Sequence, residues 1–169
     1  MSRPIKDEDK PLLVTVQDLA GYGVTYAEGD DCITLGRVYY VDFTKEVEYE
    51  YDSPDSREDI DPLYLSVTAG FEHSVSEAKK SYKLGLGAFT LGTEIGGLKV
   101  EEAKDFFSWG DESYFGVLKK EENIVGNLFT ARKGKKIYAF VLVGLYFSDP
   151  QMFSELLMPK LTYLESYDG

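Results

Sequence analysis

Glu46, Glu48, Glu50 and Asp52 recur at every second position. In an extended chain every second side chain leaves the same face, so these four carboxylates form one row. Asp55, Glu58, Asp59 and Asp61 follow closely. Several oxygen ligands are what Ca²⁺ requires, but the spacing is not that of an EF-hand loop, and no metal site is expected. Charges along a strand deter edge-to-edge pairing, so the row is expected to be a solvated, edge-protecting face. Glu46, Glu48, Glu50 and Asp52, with Trp109, are also the surface expected to meet a protein partner. Trp109 lies in the turn-like stretch before Ser113, where it either anchors a loop on the core or forms part of a binding rim.

The other chemistry-bearing residues lead to weaker readings. His73 is the one histidine, and neither zinc ligation nor a nucleophile–base pair can be built around it by spacing; a loop or cap role is expected. Ser76 and Lys79 match the S-x-x-K of serine acyl-enzymes, but the companion motifs S-D-N and K-T-G do not occur in the chain. Gly85, Gly87 and Gly92 resemble a phosphate-cradling loop, yet they follow a helix, whereas such loops follow a strand and open one. Nothing selects a pair from the many carboxylates for acid–base hydrolysis. The chain is therefore expected to be non-enzymatic and to need no cofactor.

Charge narrows the partners. With 30 acidic against 18 basic side chains, the 169-residue chain carries a net charge of −12. Binding to nucleic acid draws on Lys and Arg displacing counterions, so nucleic acid is not an expected partner, and anionic lipid would repel the chain. A basic patch on another protein, or a cation, suits it. No run approaches the roughly 20 apolar residues of a membrane-spanning helix, so no transmembrane segment is expected. Cys32 is the one cysteine, which leaves no intrachain disulfide, and it is expected to be a small core residue. Hydrophobic residues at 43% and aromatics at 14% supply a core and argue against disorder.

The elements that would position these residues follow from periodicity. Residues 1–11 are charged and bounded by prolines, which predicts a flexible polar tail ahead of a single α+β domain over 12–169. Thr15 to Gly21 reads as a helical turn, Val24 to Ala27 as a brief strand, and Cys32 to Phe43, Lys45 to Asp52 and Leu63 to Phe71 as strands, with a charged loop from Ser53 to Pro62. Ser74 and Glu77 form a capping box that opens a helix with Val75, Ala78, Tyr82, Leu86 and Phe89 at helical spacing. Gly85 and Gly87 predict an early end, and Gly92 to Gly97 a loop. Leu98 to Phe107 reads equally as a short strand or an irregular segment.

Tyr114 to Lys119, Ile124 to Lys133 and Lys136 to Phe147 are strand-like and separated by short turns, a meander of antiparallel neighbours. Ile137 to Phe147 is apolar on both faces, so it should be central and covered on both sides. Asp149 and Pro150 start a last helix whose stripe is Met152, Phe153, Leu156, Leu157, Leu161 and Leu164; Pro159 should kink or split it. The expected architecture is α+β, an antiparallel sheet with helices on both faces, an α/β/α sandwich.

Several of these pieces resemble the PsbP-like superfamily of α/β/α sandwiches, in particular its small bacterial lipoproteins and extracellular sensor-type domains. Asp18 to Gly21 is similar to the D-L-P-G start of such domains, with Ala20 in place of the proline. Gly110 to Ser113 looks like their turn before the closing strands, Phe129 to Arg132 like the next strand, and Phe147 to Pro150 like the entry to the final helix. The resemblance implies an accessory or binding module with no shared catalytic residues. It also implies an extracytoplasmic location, periplasmic or cell-surface, whereas the missing lipoprotein leader leaves a cytoplasmic one open. The functional expectation is a protein that docks onto a larger complex through an acidic, Tyr-rich surface. The alternative is a small-molecule or lipid carrier with a pocket between helix and sheet.

Overall fold

Alternating apolar and polar residues give several stretches of the chain strand character, and the strands join into one sheet. The computed structural model describes residues 1–26, 33–41, 44–53 and 62–168. Among these, eight strands are present: β1 (Ser2–Pro4), β2 (Ile33–Val41), β3 (Thr44–Asp52), β4 (Tyr64–Phe71), β5 (Lys99–Glu102), β6 (Glu112–Lys120), β7 (Asn123–Lys133) and β8 (Lys136–Val143). Their order across the sheet is β1-β2-β3-β4-β8-β7-β6-β5, and every neighbouring pair is antiparallel. Three helices, α1 (Val16–Ala20), α2 (Val75–Ile95) and α3 (Pro150–Ser166), and a 3₁₀ turn at Lys10–Leu12 complete a mixed α+β fold.

β8 is central, between β4 and β7, as its two apolar faces require, and Tyr138, Ala139, Phe140, Val141 and Leu142 are all buried. It stops at Val143, short of Phe147. Gly144 turns the chain with φ +100°, and a Cβ there would run into the Pro62 carbonyl oxygen. Both the left-handed backbone and the close approach demand glycine. Gly144→Ala is expected to lower stability by more than about 1 kcal/mol, read as a drop in the urea midpoint.

Buried apolar side chains fall into two clusters. The larger joins Leu12, Leu19, Val67, Phe129 and Phe140 to the α3 residues Phe153, Leu156, Leu157, Leu161 and Leu164. The smaller joins Leu118, Leu128 and Val141, with Phe89 of α2 packed against them. α3 runs unbroken through Pro159; the packing of its stripe outweighs the hydrogen bond that proline removes. Met152 is not part of that stripe, being 41% exposed.

α2 likewise continues past Gly85, Gly87 and Gly92 to Ile95. Each glycine costs only about 1 kcal/mol relative to alanine, and Ala78, Tyr82 and Phe89 hold the helix down. Residues 24–26 form no strand.

The first eleven residues differ from a mobile tail. Ser2–Pro4 pairs with β2, and Asp9 is completely buried. Arg3 donates to Asp9 Oδ2 at 2.5 Å and Oδ1 at 3.0 Å, the Tyr167 hydroxyl to Oδ1 at 2.5 Å, and the Lys6 backbone N–H to Oδ2 at 2.8 Å. Polar composition predicts a tail because it offers no apolar surface to bury; here a charge network does the anchoring.

Candidate functional site

Sheet register brings the acidic row into contact with residues far away in sequence. Glu46, Glu48, Glu50 and Asp52 stand opposite Gly70, Thr68, Ser66 and Tyr64 of β4, which stand opposite Ile137, Ala139, Val141 and Val143 of β8. On β7 the next positions are Arg132, Thr130, Leu128 and Gly126. One face of the sheet thus grades from carboxylates on β3, through hydroxyls on β4, to apolar side chains on β8, with Leu128, Thr130 and Arg132 following on β7. α2 packs chiefly on β7, β5 and β8, where its Phe89 meets the apolar cluster of Leu118, Leu128 and Val141.

Where α2 stops covering the sheet, a groove of about 400 Å³ remains. Its floor is Glu46, Glu48, Glu50, Ser66 and Thr68, its ends include Glu72 and Tyr64, and its wall is Ser81, Tyr82, Gly85 and Phe89 of α2. Ser74 starts this wall, its hydroxyl oxygen accepting the Glu77 N–H at 3.1 Å.

The electrostatics follow from crowding of like charges beside a packed wall. Glu46 holds its proton to higher pH than an ordinary glutamate, first because neighbouring chain removes water from it and then because Glu48 and Glu72 repel its charge. It stays exposed on its outer side. Tyr82 is pushed up to about 12 by burial, with Glu112 and Glu102 adding to the shift. Tyr64 is raised by burial and by Glu50. Both phenols are therefore neutral at pH 7. The groove offers negative charge, aromatic rings and hydroxyls.

β3 lies between β2 and β4, and the sheet edges are β1 and β5. The acidic row therefore guards no edge, contrary to expectation: alternating charge looks the same at an edge as on a half-covered inner strand. Asp52 shares the row's face and is exposed, just outside the groove lining. Trp109 is elsewhere, packed against the larger cluster. Its indole N–H donates to Glu165 at 3.3 Å, and Lys133 lies 5.7 Å from its ring centre, so it anchors a loop and does not join the row.

His73 is exposed at the junction of β4 and α2. Cys32, Asp55, Glu58, Asp59 and Asp61 lie outside the described residues. Among the described residues no group of His, Cys, Asp and Glu side chains is arranged to hold a metal ion. No helix is long and apolar enough to cross a membrane among those residues.

Glu72 and Tyr82 escape sequence reasoning as site residues. Tyr82 sits on the helix's apolar stripe and reads as core. Glu72 reaches Glu46 only through the pairing of β3 with β4, which no local pattern reveals. Comparison with known proteins returns no matching family model, no matching curated protein and no matching solved structure.

Proposed function

We propose that this protein is a non-enzymatic binding module that docks onto a protein partner by taking a Lys- or Arg-bearing segment of it into the acidic, Tyr-lined groove. The carrying observation is the placement of Glu46, Glu48 and Glu50 along the floor of a concave site walled by Tyr82 and Phe89. Carboxylates on alternate residues recur about every 6.6 Å. Cations at that spacing meet charge on one side and ring faces on the other. The −12 net charge draws basic partners in from a distance and repels acidic ones.

Helical layers on both faces of the sheet fit this reading. α3 side chains belong to the cluster with Phe129 and Phe140, whereas Phe89 of α2 packs with Leu128 and Val141, which alternate with them along β7 and β8. An α/β/α sandwich would agree with the resemblance to the PsbP-like superfamily that the motifs at Asp18 to Gly21, Gly110 to Ser113, Phe129 to Arg132 and Phe147 to Pro150 suggest.

Calorimetry with octalysine tests the docking reading. Binding is expected to weaken steeply between 50 and 300 mM salt, and Glu48→Lys is expected to reduce affinity at least tenfold. Equal affinity for wild type and Glu48→Lys would sink it.

The crowded carboxylates of the groove also bear a cost in stability. Glu46 has a raised proton affinity in the folded state, so its unfavourable contribution is absent below the ordinary glutamate range and grows as pH rises through its folded value. Glu46→Gln is expected to raise stability at pH 7 by about 0.5 kcal/mol, the scale of exposed charge pairs, seen as a higher melting temperature; a lower one would mean that Glu46 serves folding rather than binding.

A small organic cation is the second reading. It is favoured by the groove's volume, about 400 Å³, which falls in the range of small-molecule sites. Retention of an amine in native mass spectrometry of the purified protein would support it.

A further inference from the structure

α2 exposes an apolar stripe that the fold itself does not use. Leu84, Leu91 and Ile95 are 74%, 58% and 79% exposed, and Ala88 is exposed between them. At 3.6 residues per turn, positions 84, 88, 91 and 95 form one continuous line, opposite the buried Ala78 and Tyr82. The line leans towards the acidic groove. Ser81 and Gly85 line the groove, and they sit three residues before Leu84 and Ala88 respectively, on the adjoining row of the helix surface. Along this flank a Cβ at Gly85 or Gly92 would meet nothing within 4 Å. Internal packing therefore does not require glycine at either place, although each weakens the helix.

Among the described residues, the sheet beside this flank has room for one more helix. On the face bearing Glu46, Glu48 and Glu50, α2 packs chiefly on β7, β5 and β8, and among the described residues no other helix lines the groove over β3 and β4. Strands spaced about 4.8 Å apart give β2, β3 and β4 a combined width of roughly 14 Å. A helix with its side chains is about 10 Å across. Ser81, Tyr82, Gly85 and Phe89, spread over more than two turns of α2, all line the groove that also holds Glu46, Glu48 and Glu50. A helix laid beside it would run along Glu46, Glu48 and Glu50 as well. Glycines on the facing flank allow it to approach closely.

We propose that this ledge seats an amphipathic helix of a protein partner, apolar where it meets Leu84, Ala88 and Leu91 and basic where it meets Glu46, Glu48 and Glu50. This rests on the docking reading above and adds the form of the docked segment. Charge decides the occupant. A second copy of this chain would bring another −12 charges and its own acidic row to the same place, and an anionic lipid surface is repelled by the same carboxylates. A basic helix satisfies both the apolar stripe and the acidic floor.

The test measures binding of the full chain to three probes: an 18-residue peptide of Leu, Ala and Lys written with helical amphipathic period, the same composition scrambled, and octalysine. The helical peptide is expected to bind at least tenfold more tightly than either control. Leu84→Glu with Leu91→Glu is expected to remove that advantage while circular dichroism and melting temperature stay unchanged. These substitutions add negative charge, which would strengthen a purely electrostatic contact, so weakening reports the apolar stripe.

Equal binding of helical peptide and octalysine, unaffected by the double substitution, overturns the helix seat and leaves the acidic groove standing. No binding of any probe at 1 mM overturns both. A free chain that sediments as a dimer and dissociates on the double substitution, or stripe-dependent binding to neutral lipid vesicles, overturns the inference in favour of that occupant.

Discussion

Phe153→Ala is expected to destabilise the protein by about 3–5 kcal/mol, the range for emptying a buried aromatic site. Phe153 is completely buried, and six rings surround it. Phe115 is 5.0 Å away between centroids, Phe107 5.1 Å, Phe140 and Phe147 5.7 Å, Phe106 5.9 Å and Phe129 6.0 Å. All six contacts are edge-on, the arrangement that aligns ring edge with ring face. These rings come from β6, β7, β8, the segment before β6 and the segment before α3. One truncation therefore loosens several elements together, and little collapse can fill the gap. Phe153→Leu keeps most of the volume and should cost less than half as much. Urea denaturation at pH 7 measures both, and a loss below about 1 kcal/mol for the alanine variant would show that α3 is not held by this ring.

The parts of the fold that sequence reveals are those whose cause is local. Ile137 to Phe147 reads as apolar on both faces, which only a central strand tolerates, and β8 is central. Short turns at Glu121 and Gly134 force β6, β7 and β8 into a meander. Asp149 and Pro150 open α3: the Asp149 carboxylate accepts the Gln151 N–H at 2.9 Å. What escapes depends on distant partners. The glycines of α2 predict a break that packing on β7 prevents. The neighbour of β4 is β8, some 70 residues further along by its own register, and this pairing delivers the groove. The acidic row is legible as a row, yet only the position of α2 distinguishes an edge guard from the floor of a groove. Trp109 reads from sequence as either a loop anchor or part of a binding rim, and its contacts with Glu165 and Lys133 make it the anchor, away from the row.

Asp9→Asn should cost about 3 kcal/mol at pH 7, the scale for breaking a buried ion pair by removing one partner. Lys45 is the reason the loss is large. It is only 8% exposed, its ammonium lies 3.7 Å from Asp9 Oδ1, and it donates to the Tyr167 hydroxyl at 2.5 Å, with the Tyr167 ring centre 4.5 Å away. Without the carboxylate, that charge stays buried beside the Tyr167 hydroxyl and the Phe71 and Tyr167 rings, with no anion among its described partners, and Arg3 loses its bidentate acceptor.

Acid pH separates this account from simple loss of packing. Burial alone would raise the proton affinity of Asp9, but hydrogen bonds from Arg3, Tyr167 and the Lys6 backbone outweigh it and hold the carboxyl well below the usual aspartate range. A carboxyl depressed in the folded state contributes stability that is complete above its unfolded value, about 3.9, and is lost as pH falls from there towards the folded value. Wild type should therefore lose its advantage over Asp9→Asn progressively below about pH 4, by up to about 1.4 kcal/mol per pH unit. Above pH 5 the gap should be flat. Thermal unfolding of both proteins between pH 2.5 and 7 measures the difference. A gap that persists unchanged to pH 2.5 would mean that Asp9 is not held as a carboxylate by these donors, and that the first strand is fastened by backbone pairing with β2 alone.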